Sequence, residues 1–466
     1  MTARRVVILG GGPAGVGAAC ALAARPGFEV TLVEQRAAAG GNAGSFEHRG
    51  LHLDYGSHRL HHATDPRILA EIRALLGDDL LRRPRRGRIR LRGRWVRFPL
   101  AATDLLLRLD RAFALRAARD MLLRRRAGDE PESFASVLHA RLGPTISEHF
   151  YFPYARKLWG EEPEALSAIQ ARRRVAAISF AKLLRKIVRP AGGGTFYYPR
   201  RGFGQISERY AEAARQRGAQ LRFETRVERL ERPASAGSPW SVVVERGGRA
   251  ERLVADHVLS TLPVSLLARL SDPLPPAEVT AAAAEIRFRS MVLVYLELDV
   301  DRFSATDAHY FPEENVRMTR VSEPKNYSGA REPAGRTVLC AELPCAFEDA
   351  VWRLDDAALG ELVGADLARV GLPLARPPVA VFSRRLRHAY PIYERGYELA
   401  LGRLEAWIES LPAITSYGRQ GSFAHDNTHH ALFMARCAVE CLTHDGFDAA
   451  RWERFRAVFA THVVED

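Results

Sequence analysis

The chain has 466 residues, of which 47% are hydrophobic and 26% charged, so it predicts a folded protein of two or three domains and excludes a wholly disordered chain. No apolar run reaches the roughly 18 residues that a membrane-spanning helix needs. The formal net charge of +13 would suit nucleic acid, lipid or phosphorylated small molecules as partners. Because nearly all basic residues are arginine, we interpret the charge mainly as a composition bias and expect no nucleic-acid partner.

The cysteines are few and scattered, and none forms a C-x-x-C pair, which indicates small core residues in a reducing compartment rather than a disulfide framework. Glycine and proline at positions 10–13 interrupt the apolar N-terminal run, which argues against a secretory signal. We therefore expect a soluble, cytoplasmic protein without stable membrane insertion. The cysteines are Cys20, Cys340, Cys345, Cys437 and Cys441.

The first predicted elements are a strand, a turn and a helix in "RVVILGGGPAGVGAACALAA", followed by a second strand in "EVTLVE". Gly10, Gly12 and Gly15 form G-x-G-x-x-G at the turn, where glycines allow a tight bend and close approach of the backbone to a pyrophosphate. Glu34 ends the second strand 19 positions after Gly15 (34 − 15), where a carboxylate binds ribose hydroxyls and disfavours a 2′-phosphate. The pattern predicts a dinucleotide site that is unsuited to NADP.

The histidines of "LDYGSHRLHH" come next, at His58, His61 and His62. A metal site would need three or four convergent ligands with supporting carboxylates, and this segment lacks carboxylates at helical spacing. We therefore predict no metal here. Two readings stay open from the residues alone: the wall of a pocket, or structural histidines in a loop.

The middle of the chain predicts helices. Residues 65–82 indicate one helix, and residues 82–98 alternate arginine with apolar residues around Gly93, which indicates a hairpin with one solvated basic face. Residues 103–190 are rich in leucine and arginine and predict a helical lobe. Its basic part could bring a lipid surface near, but a solvated helix is the favoured reading.

Strand patterns return in the second half of the chain. We expect strands at 219–230, 240–247 and 255–263. Residues 286–400 alternate short strand-like runs with one helix at 355–370. The last segment, "YGRQGSFAHDNTHHALFMARCAVECL", predicts a turn-rich stretch that enters a long helix.

Three segments resemble the flavin-dependent amine oxidase superfamily. "EQRAAAGGNAGSF" carries a second glycine doublet shortly after Glu34, and "TRVERL" and "DHVLSTLP" are similar to that superfamily's returning segment. The resemblance implies FAD rather than NAD as the cofactor. It also implies that Gly41 and Asn42 contact the cofactor and that Val227 lies beside the adenine.

Within the superfamily, the chain resembles the UDP-galactopyranose mutases. Five segments are similar to motifs of that family and follow in the same order over roughly residues 5 to 440. Two of them contain Lys157 and Lys325, in a chain with only four lysines. The segments are "GGNAGSFEHRGLHLDYGSHRLHH", "FYFPYARKLWGEEPEALSA", "TRVSEPKNYS", "HAYPIYERGYE" and "YGRQGSFAHDN".

The mutase resemblance assigns roles to residues around the flavin. It implies that His58 lies against the isoalloxazine, where it takes part in catalysis. Arg419 would contact the flavin, and the amides that open the last helix near Asn427 would face the pyrophosphate or a flavin carbonyl.

On the substrate side, the resemblance implies that Arg320 and a second arginine hold the leaving diphosphate. Arg174 is our choice for the second, with its neighbours Arg172 and Arg173 as alternatives. The side chains that would line the nucleotide and sugar pocket are Trp159, Tyr390 and Tyr393. His425 is a further substrate-site candidate, in "FAHDNTHH", where the family's motif is richer in tyrosine and aspartate.

The implied activity is a mutase that interconverts the pyranose and furanose forms of a nucleotide sugar, with N5 of reduced FAD attacking the anomeric carbon. An external reductant such as NAD(P)H would keep the flavin reduced. The alternative is an FAD-dependent oxidoreductase of the amine oxidase or protoporphyrinogen oxidase kind, which oxidises a C–N or C–C bond of a small molecule. A binding paralogue without turnover is a third hypothesis, and a homodimer stays open.

The expected fold is α/β, with a Rossmann-type FAD-binding domain, a helical lobe and an antiparallel-sheet substrate domain. We expect the substrate between these parts, facing the flavin. The predicted order is FAD-binding segment 1 at 1–98, the helical substrate lobe at 99–195, FAD-binding segment 2 at 196–265, the antiparallel-sheet substrate domain at 266–400 and FAD-binding segment 3 at 401–466.

Overall fold

The structure is a computed structural model, and it describes residues 3–98, 108, 110–123, 132–175, 194–235 and 237–464. The strands in chain order are β1 Arg4–Leu9, β2 Phe28–Val33, β3 Ser45–His48, β4 Leu51–Asp54, β5 Leu80–Pro84, β6 Gly87–Leu91, β7 Arg94–Phe98, β8 Thr195–Pro199, β9 Gln220–Arg222, β10 Arg226–Glu231, β11 Trp240–Arg246, β12 Arg249–Ala255, β13 His257–Ser260, β14 Ser271–Asp272, β15 Phe288–Leu298, β16 Ala308–Tyr310, β17 Arg320–Ser322, β18 Thr337–Cys345, β19 Ala380–Pro391 and β20 Ile414–Ser416.

Helices lie between these strands, and a π-helical turn at Ser147–Tyr151 connects two of the helices. The helices are α1 Pro13–Ala23, α2 Pro66–Leu76, α3 Arg111–Leu122, α4 Phe134–Leu142, α5 Pro144–Ile146, α6 Phe152–Trp159, α7 Ala168–Val175, α8 Gln205–Gln216, α9 Val264–Leu270, α10 Ala277–Glu285, α11 Pro324–Ser328, α12 Ala350–Arg353, α13 Asp356–Arg369, α14 Tyr397–Ser410, α15 Gly418–Gly421, α16 Thr428–Cys441 and α17 Ala449–Phe459.

A parallel sheet in the order β20-β13-β1-β2-β9 holds the start of the chain. Its strands come from three distant parts of the sequence, and α1 packs against α8 and α16 on one face. Val6 and Ile8 point to that face, whereas Val7 and Leu9 join a second cluster on the other. The sheet is thus covered on both sides, as parallel sheets require.

A larger sheet in the order β19-β15-β18-β17-β16-β6-β7 forms the second layer, and it is antiparallel except where β16 meets β6. The predicted hairpin is confirmed: β6 and β7 are joined at Arg92 and Gly93, which both have positive φ. The helix predicted at 355–370 is confirmed as α13, which packs on β15 and β19. These sheets, with the helices between residues 132 and 175, confirm the α/β class.

Two predictions about single elements are wrong. The helix expected at 65–82 ends at Leu76, because Gly77 with φ 53° terminates it, and the chain then enters β5. The strand expected at 219–230 is two strands, β9 and β10, in different sheets. Glu224 separates them with φ 52°, a left-handed conformation that ends the first strand.

All five cysteines are free and buried, as the sequence predicts for core residues. Within the described ranges, no helix has both the length and the apolar character that a membrane crossing needs.

A buried histidine in the parallel sheet predicts a loss of stability in acid. His257 is 1% exposed, contacts Thr415 Oγ1 through Nε2 at 3.0 Å, and burial lowers its pKa to about 3. Between that value and the ordinary value of about 6.5, the unfolded chain binds a proton that the folded chain does not, so stability falls as pH falls.

We expect His257→Gln to reduce the slope of unfolding free energy against pH by up to about 1.4 kcal/mol per pH unit between about pH 6 and 4. Urea titrations at several pH values measure the slope, and His62→Gln, at an exposed position, is the control. Equal slopes in the wild type and the His257 variant would contradict the assignment.

Candidate active site

A cavity of about 520 Å³ lies at the carboxyl edge of the parallel sheet and is also lined by Met291 and Leu293 of the large sheet. The wall contains the turn after β1, Glu34 at the end of β2 and Thr261 after β13. Ligands of open α/β sheets bind at this edge. The cavity is therefore the candidate active site.

The glycine motif forms one end of this cavity. A methyl group on Gly15 would lie 1.8 Å from the Gly10 carbonyl oxygen, so α1 packs directly on the turn. Gly10 and Gly12 line the cavity, and a methyl group on Gly12 would meet no protein atom within 4 Å. The third glycine thus serves packing, and Gly12 leaves open space for a ligand.

Glu34 is positioned by the same turn. Its Oε2 accepts the amide of Gly11 at 2.7 Å and its Oε1 accepts the amide of Arg36 at 2.8 Å. The carboxylate lines the cavity and keeps further lone pairs for ribose hydroxyls. This is the arrangement that the sequence predicted for a dinucleotide.

Two helices present their N-termini to the cavity. Helix α1 begins after Gly12 without a side-chain cap, and Pro13 and Ala14 line the cavity. Asn427 and Thr428, which open α16, line it too. The Asn427 amide donates to His430 Nδ1, but the start of α1 is uncapped, and such helix N-termini attract anions, so this end of the cavity fits the pyrophosphate of FAD.

His58 lines the cavity but is bound to the backbone. Its Nε2 lies 3.0 Å from the carbonyl oxygens of Asn42 and Tyr55, so Nε2 carries a proton and donates. The ring stacks on Phe203 at 5.3 Å, and burial lowers the pKa of His58. A neutral His58 therefore fixes the Gly41–Asn42 turn against the cavity, and Asn42 Nδ2 donates to the His388 carbonyl at 2.9 Å.

An aromatic cluster forms another part of the site. His425 is 1% exposed, and its ring lies 6.2 Å from Trp159, 5.9 Å from Tyr390 and 5.1 Å from Tyr393. Its Nε2 is 3.1 Å from Gln170 Nε2. His425 and Tyr390 line the cavity, whereas Trp159 and Tyr393 pack behind them. The structure thus brings together the four aromatic candidates.

Arg320 lines the cavity in a bidentate ion pair. Its Nε and Nη2 donate to the two oxygens of Glu342 at 2.9 Å and 2.8 Å, and Glu342 also accepts the Ser57 amide at 2.8 Å. Glu342 is 3% exposed and was not among the sequence candidates. Its signal is weak, because it lies inside a strand and pairs across β17 and β18.

Arg419 connects two parts of the cavity wall. Its Nη1 donates to the Asp426 carbonyl and its Nη2 to the Ala389 carbonyl, both at 2.8 Å. The guanidinium also lies 5.2 Å from the ring centroid of Tyr390. Arg419 therefore joins the turn before α16 to the end of β19.

Lys157, one of the rare lysines, holds a loop. Its Nζ donates to the carbonyls of Phe311, Glu313 and Met318 at 2.6, 2.9 and 2.8 Å. This loop leads into β17 and Arg320, so Lys157 positions the wall rather than touching the cavity. Lys325 is similarly buried and donates to Asp301, Pro333 and Arg336.

Five sequence candidates are absent from the described cavity lining: Gly15, Trp159 and Tyr393 pack behind it, and Val227 and Arg174 are the other two. Val227 lies in β10, half-buried against a core cluster, and is absent from the described lining. The backbone of Arg174 belongs to α7, but its side chain lies outside the described residues. Of its alternatives, Arg172 is exposed, and Arg173 donates to Tyr393 Oη at 3.0 Å.

One cluster that contains two histidines has residue types that bind metals, but its rings are not oriented for joint coordination. Ligand atoms of Asp426, His430 and His462 all lie within 4.8 Å of one another. The rings of His430 and His462 are stacked 4.2 Å apart and only 14° from parallel. One ion cannot lie in both ring planes, so this arrangement does not suit joint coordination.

Comparison with known proteins defines the family. The flavin containing amine oxidoreductase family matches residues 13–402. The chain belongs to this family.

Solved structures of flavoenzymes share the fold at low identity. A reduced UDP-galactopyranose mutase has a TM-score of 0.80 at 21% identity, over 99% of this chain and 100% of that chain. A putative protoporphyrinogen oxidase from Exiguobacterium sp. 255-15 has a TM-score of 0.73 at 22% identity, over 94% and 98%. A variant of putrescine oxidase has a TM-score of 0.65 at 19% identity, over 94% and 98%.

FAD is accordingly the cofactor of this amine oxidoreductase family member. The glycine turn, Glu34 and the two helix N-termini would hold its ADP part, since they line the same end of the cavity.

A substitution in the glycine turn should change FAD affinity without changing the stability of the fold. We expect Gly12→Ala to leave the stability of the FAD-free protein unchanged, because the methyl group meets no protein atom and Gly12 has φ −69°. The same methyl group stands where the pyrophosphate approaches, so FAD affinity should fall at least about tenfold, or about 1.4 kcal/mol.

Fluorescence titration with FAD measures the affinity. Gly402→Ala is the matched control, since a methyl group there also meets no protein atom but lies on α14 outside the cavity. Equal FAD affinity in the two variants would argue against a pyrophosphate at this turn.

Proposed function

We propose that this flavoprotein is a UDP-galactopyranose mutase-like enzyme that interconverts pyranose and furanose forms of a nucleotide sugar with its FAD reduced. The observation that carries the proposal is the charge of the cavity. Arginines outnumber carboxylates among its described lining residues, and such a cavity suits a diphosphate better than the ammonium group of an amine. The arginines are Arg36, Arg59, Arg85, Arg320, Arg385, Arg387 and Arg419.

The carboxylates of the lining already have partners. Glu34 accepts two backbone amides, and Glu342 accepts Arg320 and Ser57. Asp426 accepts a hydrogen bond from His462 at 3.1 Å. An amine substrate would have to compete with these donors at Glu34 and Glu342 and would find one oxygen without a hydrogen bond from the described residues, Asp426 Oδ1, whereas a phosphate would meet arginines.

Bound FAD supplies the reactive nitrogen when it is reduced. The chain's own residues orient the substrate beside it. Glu342 fixes the orientation of the Arg320 guanidinium, which suits it for holding a leaving diphosphate. Tyr390 and His425 offer ring faces for a sugar or base, and His58 keeps the Gly41–Asn42 turn in place.

The second candidate is an FAD-dependent oxidoreductase that acts on a C–N or C–C bond. The fold similarity to a putative protoporphyrinogen oxidase supports it, and the arginines would then hold carboxylates of an anionic substrate. Flavin oxidation state during turnover distinguishes the two, because a mutase leaves it unchanged.

We expect the holoenzyme to convert a nucleotide sugar to its furanose isomer only after dithionite reduction. An anaerobic chromatographic assay with UDP-galactopyranose and a panel of other nucleotide sugars measures the product, and absorbance follows the flavin. Bleaching of oxidised flavin by a substrate, or steady oxygen consumption, would favour the oxidoreductase; no isomer from any sugar would contradict the mutase.

Arg320→Lys should lower kcat/KM about 10²-fold because lysine cannot keep the bidentate bond to Glu342 and present a planar donor to phosphate. The visible spectrum of bound FAD should stay unchanged. Arg317→Lys, at an exposed position on the same segment, is the control. Wild-type turnover in the Arg320 variant would remove Arg320 from the substrate site.

A further inference from the structure

Arg59 is another arginine of the cavity lining and follows His58 in the sequence. Its Cζ lies 5.2 Å from the ring centroid of Phe196 and 4.9 Å from that of Tyr327. Its Nη1 donates to Tyr310 Oη at 2.9 Å and its Nη2 to Tyr327 Oη at 3.0 Å. These neutral groups hold the guanidinium without cancelling its charge.

Arg59 lacks a close counter-ion in the part of the chain that the structure describes. No carboxylate there lies within the roughly 4 Å of an ion pair. Asp307 acts on Arg59 only from longer range, and its carboxylate accepts the Arg86 amide at 2.7 Å. The Nε of Arg59 is buried without a hydrogen-bond acceptor.

The contrast with Arg320 shows what is unusual. Both arginines adjoin Tyr310, since the Cζ of Arg320 lies 5.8 Å from that ring centroid. Arg320 is neutralised by Glu342, but Arg59 keeps its full charge at a position that is only partly exposed. A desolvated charge without a partner is costly, and an incoming anion would remove that cost.

We propose that Arg59 receives an anionic group of the substrate, a phosphate or a carboxylate. This assignment rests on the proposed function in one respect, that the substrate occupies this cavity. The rings of Phe196 and Tyr327, which are tilted 60° to each other, flank the guanidinium, and the phenol oxygens of Tyr310 and Tyr327 fix its orientation, so little reorganisation accompanies binding. Arg59 takes the place of the second cation that the sequence assigned to Arg174.

Calorimetric titration of the FAD-saturated holoenzyme at low ionic strength tests the site. Saturation with FAD is needed because pyrophosphate would otherwise bind at the glycine turn, where the FAD pyrophosphate is expected. The probes are inorganic pyrophosphate and glutarate, which separate phosphate from carboxylate recognition. We expect at least one of them to bind, and Arg59→Gln to weaken that binding at least about tenfold.

Arg86→Gln is the matched control, because it removes the same charge near Asp307 at an exposed position outside the cavity. It should bind the probe as the wild type does. Arg59→Lys keeps the charge without the fork, so an intermediate loss is expected and provides a second readout if the glutamine variant folds poorly. FAD content and circular dichroism report folding in each variant.

The assignment is overturned if neither probe binds the wild type up to about 20 mM, or if Arg59→Gln and Arg86→Gln bind it equally. Failure of the mutase proposal looks different. Probe binding that depends on Arg59, with no sugar isomerised by the reduced enzyme, would contradict the reaction and leave the anion site standing.

Discussion

The close approach of Gly15 to the carbonyl oxygen of Gly10 is the constraint on which the site depends. A methyl group would lie 1.8 Å from that oxygen, so only glycine lets α1 start so near β1. The consequence is that the first amides of α1 face the cavity, and that the Gly11 amide reaches Glu34 at 2.7 Å. Cofactor binding therefore follows from a backbone contact rather than from any one polar side chain.

The parts of the fold that the sequence predicted are those set by local patterns. The first strand, turn and helix and the hairpin at Gly93 each carry their own signal within about 20 residues. The division of residues 219–230 between two sheets does not, because apolar and polar residues alternate through both strands and only the φ of Glu224 separates them. Sheet membership depends on distant partners that periodicity cannot reveal.

The candidate site shows the same division. Glycine spacing and Glu34 were predictable, since their chemistry needs only neighbours in sequence. The role proposed for Arg59 was not, because it depends on the absence of a nearby carboxylate among the residues that the structure describes, and the chain is rich in arginine. The motifs that resemble the mutase family also contain structural residues: Lys157 lies in one of them and holds the loop before Arg320 through three carbonyls.

Family membership does not determine the substrate, and the pairing of charged residues in the cavity bears on it instead. Membership among flavin-containing amine oxidoreductases fixes the fold and FAD, but an amine needs an acceptor, and Glu342 is already bound by Arg320 and Ser57. A paired arginine gives fixed geometry with little net charge, whereas an unpaired one gives attraction. With Arg320 in the first role and Arg59, which has no carboxylate close to it among the described residues, in the second, we expect this wall to favour a negatively charged group. The reason that Arg59 can attract an anion is that the aromatic rings around it displace water but carry no negative charge.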